Sequence, residues 1–143
     1  MNELKDRNSG DTLRVLIVDD QPGFRRQLRC LLVAAGLQVV GEAGDIPEAL
    51  RQAETLQPDL AVVDIMLPGV SGIQGTHQIK AVAPATRVIL VSAYDFNDWI
   101  LSLAASAGAE RFVCKDELDL QMVSGWLQTG QTVGARPDVA RNG

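Results

Sequence analysis

An apolar run that ends in a single aspartate is the feature that most constrains this chain. Leu60–Val63 lead directly into Asp64, and a Pro68-Gly69 turn follows shortly afterwards. A short apolar run bounded by turn signals predicts a strand buried on both faces of a sheet. Asp64 then stands at the carboxyl end of a central strand, which is the edge where open α/β sheets bind ligands. A carboxylate there is costly unless a cation meets it, so we expect cationic groups beside Asp64.

Five apolar, partly β-branched segments alternate with five segments of helical periodicity along the chain. The predicted strands cover residues 13–18, 37–43, 60–64, 87–91 and 111–114. The predicted helices follow these strands, and the last helix extends from about Glu117 to Gln128. Strands that alternate with helices of this length form a parallel sheet with helices on both faces. We therefore expect an α/β fold with a doubly wound five-stranded parallel sheet, (βα)5.

Length and composition indicate one ordinary globular domain, because the chain has 143 residues of which 46% are hydrophobic. We expect a flexible leader at residues 1–11, the folded domain at 12–128, and a flexible tail or linker at 129–143. The net charge of −5 argues against a nucleic-acid surface. No apolar run reaches the length of a membrane span, and no signal-peptide pattern is present, so we expect the cytoplasm. Cys30 and Cys114 are expected to be buried thiols.

Polar side chains follow four of the predicted strands, and they are Asp19, Asp20, Asp64, Ser92 and Lys115. Because the carboxyl ends of parallel strands lie along one edge of the sheet, these side chains can converge. Three carboxylates at one place repel one another unless a divalent cation lies among them, and their hard oxygen atoms suit Mg²⁺. A carboxylate nucleophile beside Mg²⁺, a lysine and a hydroxyl is what phosphoryl transfer requires.

Four short motifs make residues 12–128 resemble the receiver domain of two-component response regulators, which has a flavodoxin-like fold. The motifs are Leu-Ile-Val-Asp-Asp at 16–20, Val-Val-Asp-Ile-Met-Leu-Pro-Gly at 62–69 with Gly72 following, Leu-Val-Ser-Ala at 90–93, and Phe-Val-Cys-Lys at 112–115. Together they are highly specific, although Asp-Asp alone would be weak. Lys115-Asp116 and Gly108-Ala109 are similar to the NarL and LuxR-type subfamily. That subfamily usually precedes a helix-turn-helix output domain, which these 143 residues do not include.

The resemblance implies that Asp64 is a phosphoacceptor. Its phosphoryl donor would be a sensor histidine kinase or a phosphotransfer protein. Asp19 and Asp20 correspond to the acidic pair at a Mg²⁺ ion, with Asp64 and the backbone carbonyl of Met66 as further ligands. Lys115 corresponds to the lysine of the family's phosphorylation site.

The resemblance also implies a switch. Ser92 corresponds to the switch hydroxyl and Phe112 to the switch aromatic, so phosphorylation would reposition the last strand and its flanking helices. A phenylalanine in a strand is usually plain core, and for Phe112 that alternative stays open. The chain would act through a changed protein-interaction surface, not as an enzyme that releases a product.

Three rival interpretations compete with this one. An interaction module that is not phosphorylated would be expected to lack an acidic residue or the lysine, and this chain lacks none. A phosphohydrolase would need a general acid or base, and only Tyr94 is at hand because His77 lies in a helix away from the acidic edge. The chain can also be the receiver of a DNA-binding transcriptional regulator.

Trp99 and Trp126, on the last two helices, are expected in the core or at a partner interface such as a homodimer.

Overall fold

Five parallel strands form the sheet of the computed structural model, which describes residues 12–127. The strands are β1 (Arg14–Val18), β2 (Gln38–Ala43), β3 (Leu60–Asp64), β4 (Arg87–Ser92) and β5 (Arg111–Cys114). Their order across the sheet is β2-β1-β3-β4-β5, so β3 is central and Asp64 ends it. The α/β class and the parallel sheet are confirmed, and each strand lies where the sequence pattern predicts it.

Five helices connect and flank the strands. They are α1 (Pro22–Ala34), α2 (Ile46–Leu56), α3 (Gly72–Val82), α4 (Asp98–Ala107) and α5 (Leu120–Gly125). The side chains of Asp45, Ser71 and Asn97 accept hydrogen bonds from backbone N–H groups in the first turns of α2, α3 and α4. These caps satisfy donors that have no partner inside a helix, which is why the helices begin there.

The predicted start of the last helix at about Glu117 is wrong. Residues Lys115–Glu117 form a short 3₁₀ turn instead, and α5 begins only at Leu120. Asp119 sets this start, because its carboxylate accepts a hydrogen bond of 2.8 Å from the N–H of Met122. The predicted end at Gln128 lies outside the described residues, as do the predicted leader at 1–11 and tail at 129–143.

The two faces of the sheet carry two apolar clusters, because successive residues of a strand point to opposite faces. In β1, Leu16 and Val18 pack on one side with residues of α2, α3 and α4. Val15 and Ile17 pack on the other side with residues of α1 and α5. Each strand side chain of this size stabilises the fold by about 1.5–3 kcal/mol when fully buried. Helices therefore cover both faces, as a doubly wound sheet requires.

The strand register brings the polar residues to one edge. Val18 of β1 pairs with Val63 of β3, so Asp19 and Asp64, the residues that follow, come side by side. At the other side, Ser92 of β4 pairs with Cys114 of β5, and Lys115 is the next residue. The four strand ends thus present their side chains at the same edge of the sheet.

Cysteine and tryptophan placement differs in part from expectation. Cys114 is buried as predicted, but Cys30 is exposed on α1, so the prediction of a buried thiol there is wrong. Trp126 is fully buried between the sheet and α1, whereas 67% of Trp99 is exposed on α4.

The exposed histidine, His77, lies on α3 away from the acidic edge. None of the helices within residues 12–127 has the length and apolarity that crossing a bilayer requires.

Candidate functional site

Three carboxylates form the centre of the candidate site. Asp19, Asp20 and Asp64 each offer an oxygen atom, and these atoms lie within 4.8 Å of one another. Asp19 and Asp64 are buried, whereas Asp20 is exposed at the rim. The sequence prediction that the strand ends bring these three residues together is therefore confirmed by their positions.

Lys115 reaches into this acidic cluster from the end of β5. Its Nζ atom lies 2.7 Å from Oδ2 of Asp19 and 3.4 Å from Oδ2 of Asp64. The longer contact to Asp64 has hydrogen-bond geometry, whereas the shorter contact to Asp19 does not. Oδ2 of Asp19 is thus buried beside a cation but accepts no hydrogen bond from residues 12–127. One ammonium group therefore partly offsets the charge of two buried carboxylates.

Backbone N–H groups hold the other oxygen atoms of the buried carboxylates. Oδ1 of Asp64 accepts a hydrogen bond of 3.0 Å from the N–H of Met66. Oδ1 of Asp19 accepts one of 2.8 Å from the N–H of Gln21. Both side chains are oriented by the turn that directly follows their own strand, which leaves their Oδ2 atoms facing Lys115.

The pKa of Asp64 is raised above its ordinary value, chiefly because burial removes the carboxylate from water. The N–H of Met66 and the ammonium of Lys115 lower it, but they do not offset the burial. The nearby charge of Asp19 raises the pKa of Asp64 further. The ionised site consequently lacks positive charge, and a bound cation would supply it.

The donor atoms fit a magnesium ion. All three are carboxylate oxygens, which are the hard ligands that Mg²⁺ prefers. In addition, Oδ2 of Asp19 is a buried oxygen without a hydrogen bond, which is costly in the absence of a further positive group. The cluster is therefore suited to hold a divalent cation at the carboxyl edge of the sheet.

A cavity of about 230 Å³ opens at this edge of the sheet. Its lining consists of Asp20, Gln21, Asp64, Met66, Ala93, Tyr94 and Lys115. Met66 and Tyr94 are 56% and 64% exposed and form part of its rim, whereas Ala93 in the same lining offers little bulk. Asp64 is thus a buried carboxylate that a substrate can still reach.

Ser92 and Phe112 lie apart from the cavity lining. Ser92 is fully buried, and its Oγ accepts a hydrogen bond of 3.1 Å from the N–H of Tyr94. Phe112 is half-buried in β5 and packs edge-to-face on Phe96, with ring centroids 5.8 Å apart. The structure therefore brings Asp19, Asp20, Asp64 and Lys115 together directly. It places Ser92 and Phe112 in contact with Tyr94 and Phe96 of the loop that follows β4.

Three further residues shape the site, and the sequence patterns assigned a functional role to none of them. Gln21 lines the cavity with its Oε1 atom 3.5 Å from Nζ of Lys115. Phe24 presents its ring to the same ammonium group at 4.2 Å from the centroid. Gly72 lets α3 begin directly against β3, because a Cβ there would lie 2.1 Å from the backbone oxygen of Asp64. Gly72 was noted as part of a motif, but neither Gln21 nor Phe24 gave a signal without the fold.

Comparison with known proteins agrees with this geometry. Residues 15–124 match the family described as the response regulator receiver domain. The chain is 35% identical over 118 residues to the transcriptional regulatory protein NarL of Mycobacterium tuberculosis, covering 82% of this chain and 54% of NarL. It is 35% identical over 102 residues to the chemotaxis protein CheY of Thermotoga maritima, covering 71% of this chain and 84% of CheY.

Solved structures show the same fold. The signal receiver domain of NarL from Mycobacterium tuberculosis superimposes with a TM-score of 0.73 at 33% identity, covering 81% of this chain and 93% of that one. A CheX-CheY-BeF3-Mg²⁺ complex from Borrelia burgdorferi gives a TM-score of 0.71 at 28% identity, covering 78% and 83%. The chain spans only about half the length of the transcriptional regulators it matches. With these motifs, this fold and this acidic edge, the chain belongs to the response regulator receiver domain family.

Proposed function

We propose that this receiver domain accepts a phosphoryl group on Asp64 from a phosphohistidine of a sensor histidine kinase or phosphotransfer protein. The observation that carries the proposal is the position of Asp64. Its carboxylate lines an open cavity, two further carboxylates lie within 4.8 Å, and Nζ of Lys115 lies 3.4 Å away. A nucleophile, a cation and a place for a metal thus meet at one accessible point.

In the proposed step, an oxygen of Asp64 attacks the phosphorus atom of the donor in line with the leaving imidazole nitrogen. A phosphorus–oxygen bond forms, and the phosphorus–nitrogen bond breaks with its electron pair staying on the nitrogen. An imidazole that carries a proton on its other nitrogen leaves as neutral histidine. The ammonium of Lys115 lies where it can neutralise charge on the phosphoryl oxygen atoms.

Mg²⁺ is the cofactor that we propose for this step. The carboxylates of Asp19, Asp20 and Asp64 would hold it, together with the backbone carbonyl of Met66. When bound, the ion would neutralise negative charge on the transferring phosphoryl group. Two observations support this assignment, namely the cluster of three carboxylates and the Mg²⁺ of the related CheX-CheY-BeF3 complex from Borrelia burgdorferi.

The proposed switch begins at Ser92. Its Oγ accepts a hydrogen bond of 3.1 Å from the N–H of Tyr94, and we propose that this bond breaks as the hydroxyl turns toward a phosphoryl group on Asp64. The loop after β4 would then move, and Phe112 would follow because its neighbour Phe96 lies in that loop. Such a rearrangement changes the surface of the domain without releasing a product. We therefore expect a signalling module and not an enzyme of metabolism.

The changed surface is expected to include α4. Trp99 and Leu103 are 67% and 40% exposed there, which is more apolar area than a solvated helix needs. Trp126 cannot contribute, because it is fully buried. Homodimerisation through this region stays a prediction, and so do the absence of a nucleic-acid or membrane partner and the cytoplasmic location.

A second candidate function is that of a receiver within a DNA-binding transcriptional regulator. The similarity to NarL favours it, because this chain matches about half of that protein. The length of the native open reading frame distinguishes the two candidates. In both, the chemistry at Asp64 would be the same.

The test of the proposed function is phosphoryl labelling by acetyl phosphate with Mg²⁺, read by intact mass. The wild-type protein should gain one phosphoryl group and Asp64→Asn none. Asp116→Asn, which alters an exposed carboxylate beside Lys115, should label like wild type. Asp20→Ala should bind Mg²⁺ more weakly by calorimetry. A full adduct on Asp64→Asn would overturn the assignment of the phosphoacceptor.

A further inference from the structure

We propose that Phe24 is a positioning residue for the phosphorylation site, and that the face of its ring holds the ammonium of Lys115 in place. The inference rests on the proposed function of Asp64. Its geometric basis is independent of that function, because the contact between the ring and the ammonium is a direct feature of the structure.

The contact has the geometry of a cation–π interaction. Nζ of Lys115 lies 4.2 Å from the centroid of the Phe24 ring, well inside the distance of about 6 Å at which such pairs attract. The two residues come from opposite ends of the fold, since Phe24 is in the first turn of α1 and Lys115 follows β5. Phe24 is half-buried, which favours the interaction because it partly removes water from the pair.

The other partners of Lys115 attract its charge but do not fix its direction fully. Its hydrogen bonds to Asp64 and Gln21 are long, at 3.4 and 3.5 Å. Its ion pair with Asp19 is close, at 2.7 Å, but lacks hydrogen-bond geometry. A lysine side chain is flexible and its ammonium is a point charge, so these polar contacts leave its orientation free to vary. The ring therefore adds a restraint that the polar partners do not provide.

The restraint matters most when a cation occupies the site. The proposed ligands of the metal include Asp19 and Asp64, so their pairing with Lys115 must change when a cation arrives. The ring of Phe24 takes no part in metal binding, and its attraction for the ammonium persists. Phe24 would thus keep Lys115 beside Asp64 while the carboxylates exchange partners. Losing the ring should slow phosphoryl uptake about three- to tenfold, as expected for a cation–π contact in a partly buried site.

The first test is spectroscopic and needs no phosphorylation. In protein labelled at lysine, the terminal methylene protons of Lys115 are assigned by their loss in Lys115→Met. They should be shifted upfield by the ring in wild type and in Phe24→Tyr, and this shift should be lost in Phe24→Leu. Unshifted protons in the wild type would overturn the contact itself.

The second test is the initial rate of labelling by acetyl phosphate at saturating Mg²⁺. Phe24→Leu should be slowed about three- to tenfold, and Phe24→Tyr should restore the rate because it restores the ring. Leu31→Ala is the matched control, since Leu31 packs on the same cluster from the same helix. It should lower the urea midpoint and leave the rate unchanged.

The outcomes separate the two proposals. A normal rate in Phe24→Leu, or an equal slowing in Leu31→Ala, would overturn the positioning role while the phosphoacceptor assignment stands. A wild-type protein that takes up no phosphoryl group would overturn the proposed function and the role of Phe24 with it. The inference is supported if the Lys115 protons are shifted upfield and the labelling rate is reduced in Phe24→Leu. The labelling rates of Phe24→Tyr and Leu31→Ala should then equal that of the wild type.

Discussion

Nζ of Lys115 lies 2.7 Å from Oδ2 of Asp19, and this pair joins the end of β5 to the end of β1. The Asp19 side chain is 1% exposed and the Lys115 side chain 12%, so water screens the pair little. Between these two strands in the sheet lie β3 and β4, and Asp64 at the end of β3 shares the same ammonium at 3.4 Å. The charge balance of the metal-free site therefore depends on a single lysine among the residues described.

Replacing this lysine should destabilise the protein in a way that metal repairs. Lys115→Met keeps an apolar stem but leaves Asp19 and Asp64 as buried charges, so the free energy of unfolding should fall by about 3 kcal/mol. Saturating Mg²⁺ should recover part of this loss, because it binds the folded state. Urea unfolding with and without Mg²⁺ measures both effects.

Lys80→Met is the control, since the Lys80 ammonium bonds to the backbone oxygens of Pro84 and Thr86. Its loss of stability should not respond to Mg²⁺ any more than the wild type does. A Lys115→Met protein as stable as wild type without metal would contradict the prediction.

The raised pKa of Asp64 predicts a pH-dependent stability. A carboxyl group whose pKa is higher in the folded state binds its proton more tightly there, so its contribution is favourable below the unfolded pKa and is lost as the pH rises through the folded pKa. Without metal, Asp64→Asn should thus be more stable than wild type at pH 7. The difference should shrink as the pH falls to about 3.9, the ordinary aspartate value.

Urea midpoints of both proteins across this range are the measurement, and Mg²⁺ at pH 7 should reduce or reverse the difference because it stabilises the ionised wild type. Asp116→Asn, at an exposed position, should change stability by no more than about 0.5 kcal/mol. If wild type without metal were the more stable protein at pH 7, burial would not be the dominant influence on Asp64.

Gly72 should tolerate no side chain. A Cβ there would lie 2.1 Å from the backbone oxygen of Asp64 and 2.8 Å from Cα of Ile65, and neither atom belongs to a flexible side chain. Gly72→Ala should cost about 2–3 kcal/mol and also slow labelling, since α3 must shift the end of β3. In the control Gly23→Ala, nothing lies within 4 Å of the new Cβ, so a gain of about 0.5–1 kcal/mol is expected. Equal effects of the two substitutions on stability and labelling would refute this interpretation of the close approach.

The two cysteines should differ in reactivity. Cys30 is exposed on α1 and should react with a thiol reagent in the native protein. Burial raises the pKa of Cys114 to about 12, and the hydrogen bond that its thiol donates to Asp95 at 2.6 Å raises it as well. Cys114 should therefore react only after unfolding. Counting fast thiols in wild type and Cys30→Ser checks this, and a fast thiol remaining in Cys30→Ser would contradict it.

The phosphoryl group on Asp64 should be lost slowly. Hydrolysis needs a water molecule in line with the phosphorus atom. Met66 and Tyr94 stand at the cavity rim as bulky side chains, and neither offers a carboxylate or an amide to orient that water. Met66→Asn combined with Tyr94→Glu supplies polar groups there and should shorten the phosphoryl half-life about tenfold, or about 1.4 kcal/mol of barrier. Half-lives are compared at one Mg²⁺ concentration. Decay of the double variant at the wild-type rate would show that these side chains do not control the water.

The sequence by itself determined the architecture and the members of the acidic edge. Continuous apolar runs such as Leu60–Val63 specify strands buried on both faces, and the residue after such a run must lie at the carboxyl edge of a parallel sheet. This local rule was enough to bring Asp19, Asp64 and Lys115 to one place. The caps Asp45 and Ser71 are equally local, because a capping side chain reaches only the first turn of its own helix.

The tertiary structure alone decided how these residues are paired and which of them are buried. Asp19 and Asp20 are neighbours of the same type, yet only packing places the first inside and the second at the rim. Packing likewise decides that Trp126 is buried and Trp99 is exposed. The contact of Phe24 with Lys115 joins α1 to the end of β5 and depends on the rotation of one element against another. Sequence patterns record the period of each element but not its rotation, which is settled by packing across the whole sheet.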